Sequence, residues 1–137
     1  MKQLTLLIVI CCAIPIFLYC EQQKHFIQGA WEMVYAQVST PDTTIVIDLS
    51  RYVNPDVKIY TNSYYAWGHQ RPNGLPSAGG GTYKVVGDSV TEFIKYHSDS
   101  SSVNQTFTCR VWMQNDTLHL QGKYQKYEML EKYIRLE

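Results

Sequence analysis

The chain has 137 residues, and its 12 Lys+Arg balance 12 Asp+Glu for a formal net charge of zero. That balance, with no basic run in it, excludes the electrostatic footprint of a nucleic-acid binder. Of the four Cys, only Cys109 lies beyond position 20, which excludes an internal disulfide framework and a Cys-based zinc site in the body of the chain.

Leu4 to Cys20 carries no charge and follows a single Lys2, the form of a secretory leader. Residues 1–20 are therefore expected to be a signal peptide, and a membrane span is the poorer reading because a polar domain follows at once. The expected type is lipoprotein, with Cys20 as the lipidated residue; ordinary cleavage after Cys20 is the alternative. Residues 21–28 read as a polar tether with an apolar end.

Gly29-Ala30-Trp31 opens the first strand. Alternation puts Trp31, Met33, Tyr35 and Gln37 on one face and Glu32, Val34, Ala36 and Val38 on the other. Pro41 and Asp42 end it. Residues 43–49 are β-rich and predict either an extra strand or a continuation past a kink. Asn54-Pro55-Asp56 is a turn signal, residues 57–61 a strand, Asn62-Ser63 a tight turn, and residues 64–69 the next strand. Gln70 to Gly80 holds two Pro and three Gly; such a segment is expected at a surface, over the mouth of whatever it borders.

The rest alternates strand and turn: 81–86, Gly87-Asp88, 89–97, a Ser-rich loop over 98–104, 105–114, Asn115-Asp116, 117–122 and 127–136. No amphipathic helix interrupts the series. The prediction is an all-β fold, an antiparallel up-and-down β-barrel of about eight strands over residues 29–137, closed so that no sheet edge is left exposed.

Glu92 is the sharpest candidate for chemistry. Val90, Glu92, Ile94 and Tyr96 share the more apolar face of their strand, so Glu92 is expected inside, where a carboxylate needs a partner. Arg135 or a Tyr is the expected one. Tyr65, Trp67, Tyr83, Tyr96 and Tyr133 fall on faces predicted to look inward. With Glu92 they make an apolar wall with polar tips, the character of a small-molecule site. His97 and His119 are predicted to point outward, and His69 shares the parity of Tyr65 and Trp67. Cys109 alternates with Phe107 and Val111 as a core thiol. No H-x-H, H-E-x-x-H or G-x-S-x-G spacing occurs, so neither a metal nor any other cofactor is expected.

Four stretches carry a family likeness. They are Gly29-Ala30-Trp31; Gly79-Gly80-Gly81-Thr82-Tyr83 with Glu92-Phe93-Ile94-Lys95-Tyr96-His97-Ser98; Asn115-Asp116-Thr117-Leu118; and Leu130-Glu131-Lys132-Tyr133-Ile134-Arg135. Over residues 26–137 the chain resembles the lipocalin-like (calycin) families, above all the small exported lipocalin-like domains of Bacteroidetes-type bacteria. It departs from them at Tyr133, where that group has Trp, and over residues 39–56, which have no counterpart. The resemblance implies a structural pair, Trp31 at the closed end of the barrel with Arg135 over it.

Three functions follow as expectations. The leading one is an exported barrel that binds a small hydrophobic or amphiphilic molecule, touching a membrane only through its N-terminal lipid. The second is a structural or protein-interaction module whose interior is filled by its own Tyr and Trp side chains. The third, ranked last, is an enzyme that uses Glu92 and a Tyr as acid and base.

Overall fold

The computed structural model describes residues 26–51, 54–70 and 74–137. The leader, Cys20 and most of the tether lie outside them, as do residues 71–73 of the 70–80 segment.

The described residues form nine strands: β1 (Gly29–Ser39), β2 (Thr44–Val46), β3 (Asn54–Tyr60), β4 (Tyr64–Gln70), β5 (Ser77–Val86), β6 (Ser89–His97), β7 (Thr106–Gln114), β8 (Thr117–Tyr124) and β9 (Tyr127–Arg135). From β3 onward each strand pairs antiparallel with the next. Closure comes from β1, which pairs with β3 over Gly29–Glu32 and with β9 from Trp31↔Arg135 to Ser39↔Glu128. The result is an eight-stranded barrel of β1 and β3–β9, with β2 as an exposed extra strand beside the far half of β1. Residues 43–49 thus supply an extra strand and a 3-10 turn at Leu49–Arg51.

Turn chemistry sets the hairpins. Gly87 has φ 61°, and Asn115 and Asp116 have φ 49° and 60°. Asn and Asp tolerate this left-handed region better than other side-chain-bearing residues, which suits them to a hairpin turn.

Three bulges interrupt the alternation. One lies between Met33 and Tyr35, so Ala36 and not Tyr35 joins Trp31 and Met33 inside. A second lies between Gly80 and Gly81, whose partners are Tyr96 and Ile94. It inserts Lys95, and the next two side chains change sides. The third lies between Asn54 and Val57. It draws the Asn-Pro-Asp segment, expected as a turn, into β3.

One end of the barrel is closed and filled. Trp31, Tyr60, Val90, Val111 and Leu118 are buried there, and Ile27 is 0% exposed. The barrel therefore takes in the end of the predicted tether. Trp31 donates its indole N–H to the Ile27 carbonyl at 2.8 Å. The Arg135 guanidinium lies 4.2 Å from the Trp31 ring centroid and donates to the carbonyls of Gln28 (2.8 Å) and Phe26 (3.1 Å). A planar cation on an indole face satisfies electrostatics and covers apolar surface together. Both ends of the described chain are fastened at this point. Trp31→Ala should cost about 3–5 kcal/mol of folding free energy. Arg135→Ala should cost measurably less, because water can replace its carbonyl contacts. Urea denaturation of the two variants checks this order.

Candidate functional site

The other end of the barrel is open. A half-enclosed cavity of about 400 Å³ lies at this end, lined by the ends of β1, β4 and β6 and by Ile47, Asp99 and Ser102 from the segments that follow β1 and β6. Its walls are largely apolar and aromatic, with Met33, Tyr65, Trp67, Ile94, Phe107 and Met129 among them.

The strands place the walls by tilt. Arg135, Trp31, Lys58, Trp67, Gly79 and His97 are successive cross-strand partners on β9, β1, β3, β4, β5 and β6. This row starts at the closed base and reaches the mouth. Gly79 is required in it: a Cβ there would stand 2.8 Å from the Trp67 indole nitrogen. The absent side chain gives Trp67 its seat, with His97 edge-on at 5.3 Å and His69 stacked at 5.6 Å.

Beneath the cavity lies a buried ion pair. The Lys58 ammonium is 3.0 Å from Glu92 Oε1, and the two side chains are 6% and 5% exposed. The Tyr60 hydroxyl donates to the same carboxylate oxygen. Burial alone would depress the Lys58 ammonium, but the carboxylates of Glu92 and Glu131 overcome it and hold that pKa above its usual value. Burial first, then the Glu92 charge, pushes the Tyr60 hydroxyl well above the usual tyrosine range. The Cys109 thiol is raised chiefly by burial, so it is a neutral core group.

Glu131 forms a second polar centre. It lines the cavity from β9 and accepts a hydrogen bond from Tyr133 at 2.8 Å. Burial raises its pKa above the ordinary carboxylate value, although Lys58 and the Tyr133 hydroxyl pull the other way. Nearer the mouth, Asp56 Oδ2 lies 3.1 Å from His69 Nδ1.

Of the predicted wall, Tyr65, Trp67, Glu92 and Tyr133 meet at this cavity. Tyr83 does not. It is buried in the base, edge-on to Tyr60 at 5.1 Å, and donates to the Thr61 carbonyl. Tyr96 is 73% exposed on the outer surface, and His97, expected outside, lines the cavity instead; the Lys95 bulge reverses both. The ionic partner of Glu92 is Lys58, while Arg135 sits on Trp31. His119 faces outward, yet its stacking on Trp112 at 4.9 Å leaves it 8% exposed.

Sequence reasoning missed Lys58, Asp56, Tyr60 and Glu131 as site residues. The signal available for Lys58 was its parity with Tyr60, but Val57 and Ile59 make the opposite face look like the core. Among the described residues, no group of three or more His, Cys, Asp or Glu stands where it would hold a metal ion.

Two predictions follow from this floor. Glu92→Gln or Lys58→Met alone leaves its partner buried without its counter-charge and should cost about 3–5 kcal/mol. The double variant should recover most of that loss in a double-mutant cycle of urea unfolding. Glu131 carries the opposite sign of pH dependence from a paired carboxylate. Its folded pKa is raised, so its ionisation opposes folding above that pKa, and the penalty vanishes as pH falls to the ordinary carboxylate value. Glu131→Gln should therefore raise the melting temperature at pH 7 relative to the parent, and the gain should disappear near pH 4, about the unperturbed glutamate value.

No family model matches the chain, and no curated protein does. Among solved structures, it is similar to a lipocalin-like protein from Bacteroides uniformis, at 15% identity and TM-score 0.50, over 77% of this chain and 96% of that one. It is similar also to an uncharacterized protein from Bacteroides eggerthii, at 12% identity and TM-score 0.50, over 77% and 98%. A redesigned β-barrel matches at 13% identity and TM-score 0.50, over 83% and 95%. At such identities the likeness is one of fold, and the fold of this chain is that of a lipocalin-like β-barrel.

Proposed function

We propose that this chain is an exported binding protein that holds a small, partly apolar molecule in the mouth half of its barrel. The observation that carries the reading is the half-enclosed cavity of about 400 Å³, walled by aromatic and aliphatic side chains with a few polar groups at its floor and rim. Small-molecule sites have this size and mix. The uncharged run from Leu4 to Cys20 behind Lys2 supports export, with a lipid on Cys20 as the anchor.

The filled-barrel alternative describes the base well, where large side chains leave no such space. It accounts less well for the mouth, where Ala36 and Gly79 stand at inward positions of β1 and β5. An acid–base enzyme is less favoured, because Glu92 is already held by Lys58 and Tyr60.

Native mass spectrometry of protein taken from its own source should show a co-purifying small molecule. A panel of hydrophobic and amphiphilic compounds should raise the melting temperature. Ala36→Leu, which puts a larger side chain into the cavity wall, should weaken that response about tenfold or more in affinity, on the order of the penalty for overpacking. Absence of both a bound molecule and any thermal response removes the reading. The same spectrum reads the mature N-terminus, and an unmodified start beyond residue 20 removes the lipid anchor from it.

A further inference from the structure

The side chains that line the cavity are unequal in charge. Asp56, Glu92, Asp99 and Glu131 bring four carboxylates, against the single ammonium of Lys58 and the imidazoles of His69 and His97. Lys58 is committed to Glu92 at 3.0 Å, and that pair is neutral as a unit. Asp56 is matched with His69, and Asp99 turns to its own loop, accepting from the backbone and hydroxyl of Ser101.

Glu131 is different. Among the described residues its carboxylate accepts a hydrogen bond from the Tyr133 hydroxyl, through Oε2, and the Lys58 charge acts on it without a direct ion pair. It lies deep in the barrel, yet it keeps accessible surface on the side of the cavity that it lines. A carboxylate has about four acceptor sites, so Glu131 retains acceptor capacity for a group in the cavity that it lines. The rings of Tyr65, Trp67, Phe107 and Tyr133 surround the same space, and aromatic faces attract a cation.

We propose that the bound molecule is cationic: a small amphiphile whose protonated amine or quaternary ammonium group sits against Glu131, with its apolar part among the aromatic rings above. This rests on the cavity being a binding site, and it adds the charge class of the ligand. A carboxylate or phosphate head is disfavoured. It would have to approach Glu131 and Asp56 to reach an ammonium that Glu92 already holds. A neutral head donates one hydrogen bond to Glu131 but brings no charge to oppose that of the carboxylate. Folding has already removed part of the water around this carboxylate and Tyr133 holds one of its oxygens, so the cation meets a partly preorganised partner.

The groups that face Glu131 decide its pH response. Asp56 and Lys58 face it from β3, Glu92 from β6, Cys109 from β7 and Tyr133 from its own strand. The adjoining partners on β1 and β8 are the uncharged Ala36 and Leu120. Burial makes Glu131 take up a proton more readily than an ordinary carboxylate, and a bound cation must displace that proton. Affinity for a cation therefore falls as pH drops through the raised pKa of Glu131.

The test is a series of ligands with one chain and three heads: octylamine, octanol and octanoate, titrated calorimetrically into the purified chain at pH 7. Octylamine should bind about tenfold or more tightly than octanol, the gain of a hydrogen bond between two ionised groups over a neutral one, and octanoate most weakly. Glu131→Gln should bring the octylamine-to-octanol affinity ratio close to one, and lowering the pH of the parent toward 4.5 should do the same. If octanol binds as tightly as octylamine, or octanoate binds most tightly, the charge assignment fails while the cavity remains a binding site. If none of the three binds, the charge assignment fails, and the binding reading is decided by the co-purification and thermal tests. The parent series needs no variant, so a Glu131→Gln protein that does not fold leaves the comparison of heads decisive.

Discussion

The Lys58–Glu92 ion pair is the constraint on which the rest of this barrel depends. Two opposite charges are held 3.0 Å apart with almost no exposure. Taking them out of water costs several kcal/mol per ion, recovered only if their geometry is fixed and their remaining hydrogen-bonding capacity is used. Tyr60 donates to Glu92 from below, and the rings of Tyr60, Tyr65 and Tyr133 lie 5.7–6.0 Å from the Lys58 ammonium. The pair reaches across the interior from β3 to β6, which are not neighbours in the sheet. It therefore joins opposite walls, and it divides a packed base from an open mouth.

The base and the mouth answer to different parts of the sequence. Below the pair, large residues meet: Trp31, Tyr60 and Leu118 are each no more than 1% exposed. Arg135 seals this end from outside. Above the pair, the corresponding inward positions include Ala36 and Gly79. A barrel of eight strands has room for packed side chains or for one small ligand. Here the size of the side chains, and not the number of strands, decides which half does which.

Much of the fold was legible because local signals agreed. Asn115-Asp116 and Gly87-Asp88 announce hairpins, and the strands between them have the length of a barrel wall. Glu92 could be placed inside because it is the one charge between Val90 and Ile94. Tyr96 could not be placed, because strict alternation assumes an unbroken ladder, and the bulge opposite Gly80 and Gly81 adds one residue. Lys58 was hidden for a different reason. On β3 the outer residues Val57 and Ile59 are apolar while Asp56 and Lys58 face inward, so the hydrophobic pattern points the wrong way. Charge pairs inside a barrel come from strands distant in sequence, and no single strand records its partner.

That reversal on β3 bears on what the barrel is built to do. An interior made only for stability would place Val57 and Ile59 inside and leave Asp56 and Lys58 to water, since well-packed apolar residues are often at least as stabilising as a buried ion pair. Instead Ile59 is 44% exposed while Lys58 is 5% exposed. Apolar surface is given to solvent, and charge is held at the floor of a cavity. The same trade recurs at Glu131, a carboxylate raised in pKa by its own burial, and at Gly79, where a side chain is withheld so that Trp67 can line the wall. Together they produce one arrangement, a polar floor beneath an aromatic wall, and any molecule that matches it stabilises the fold by its own binding free energy.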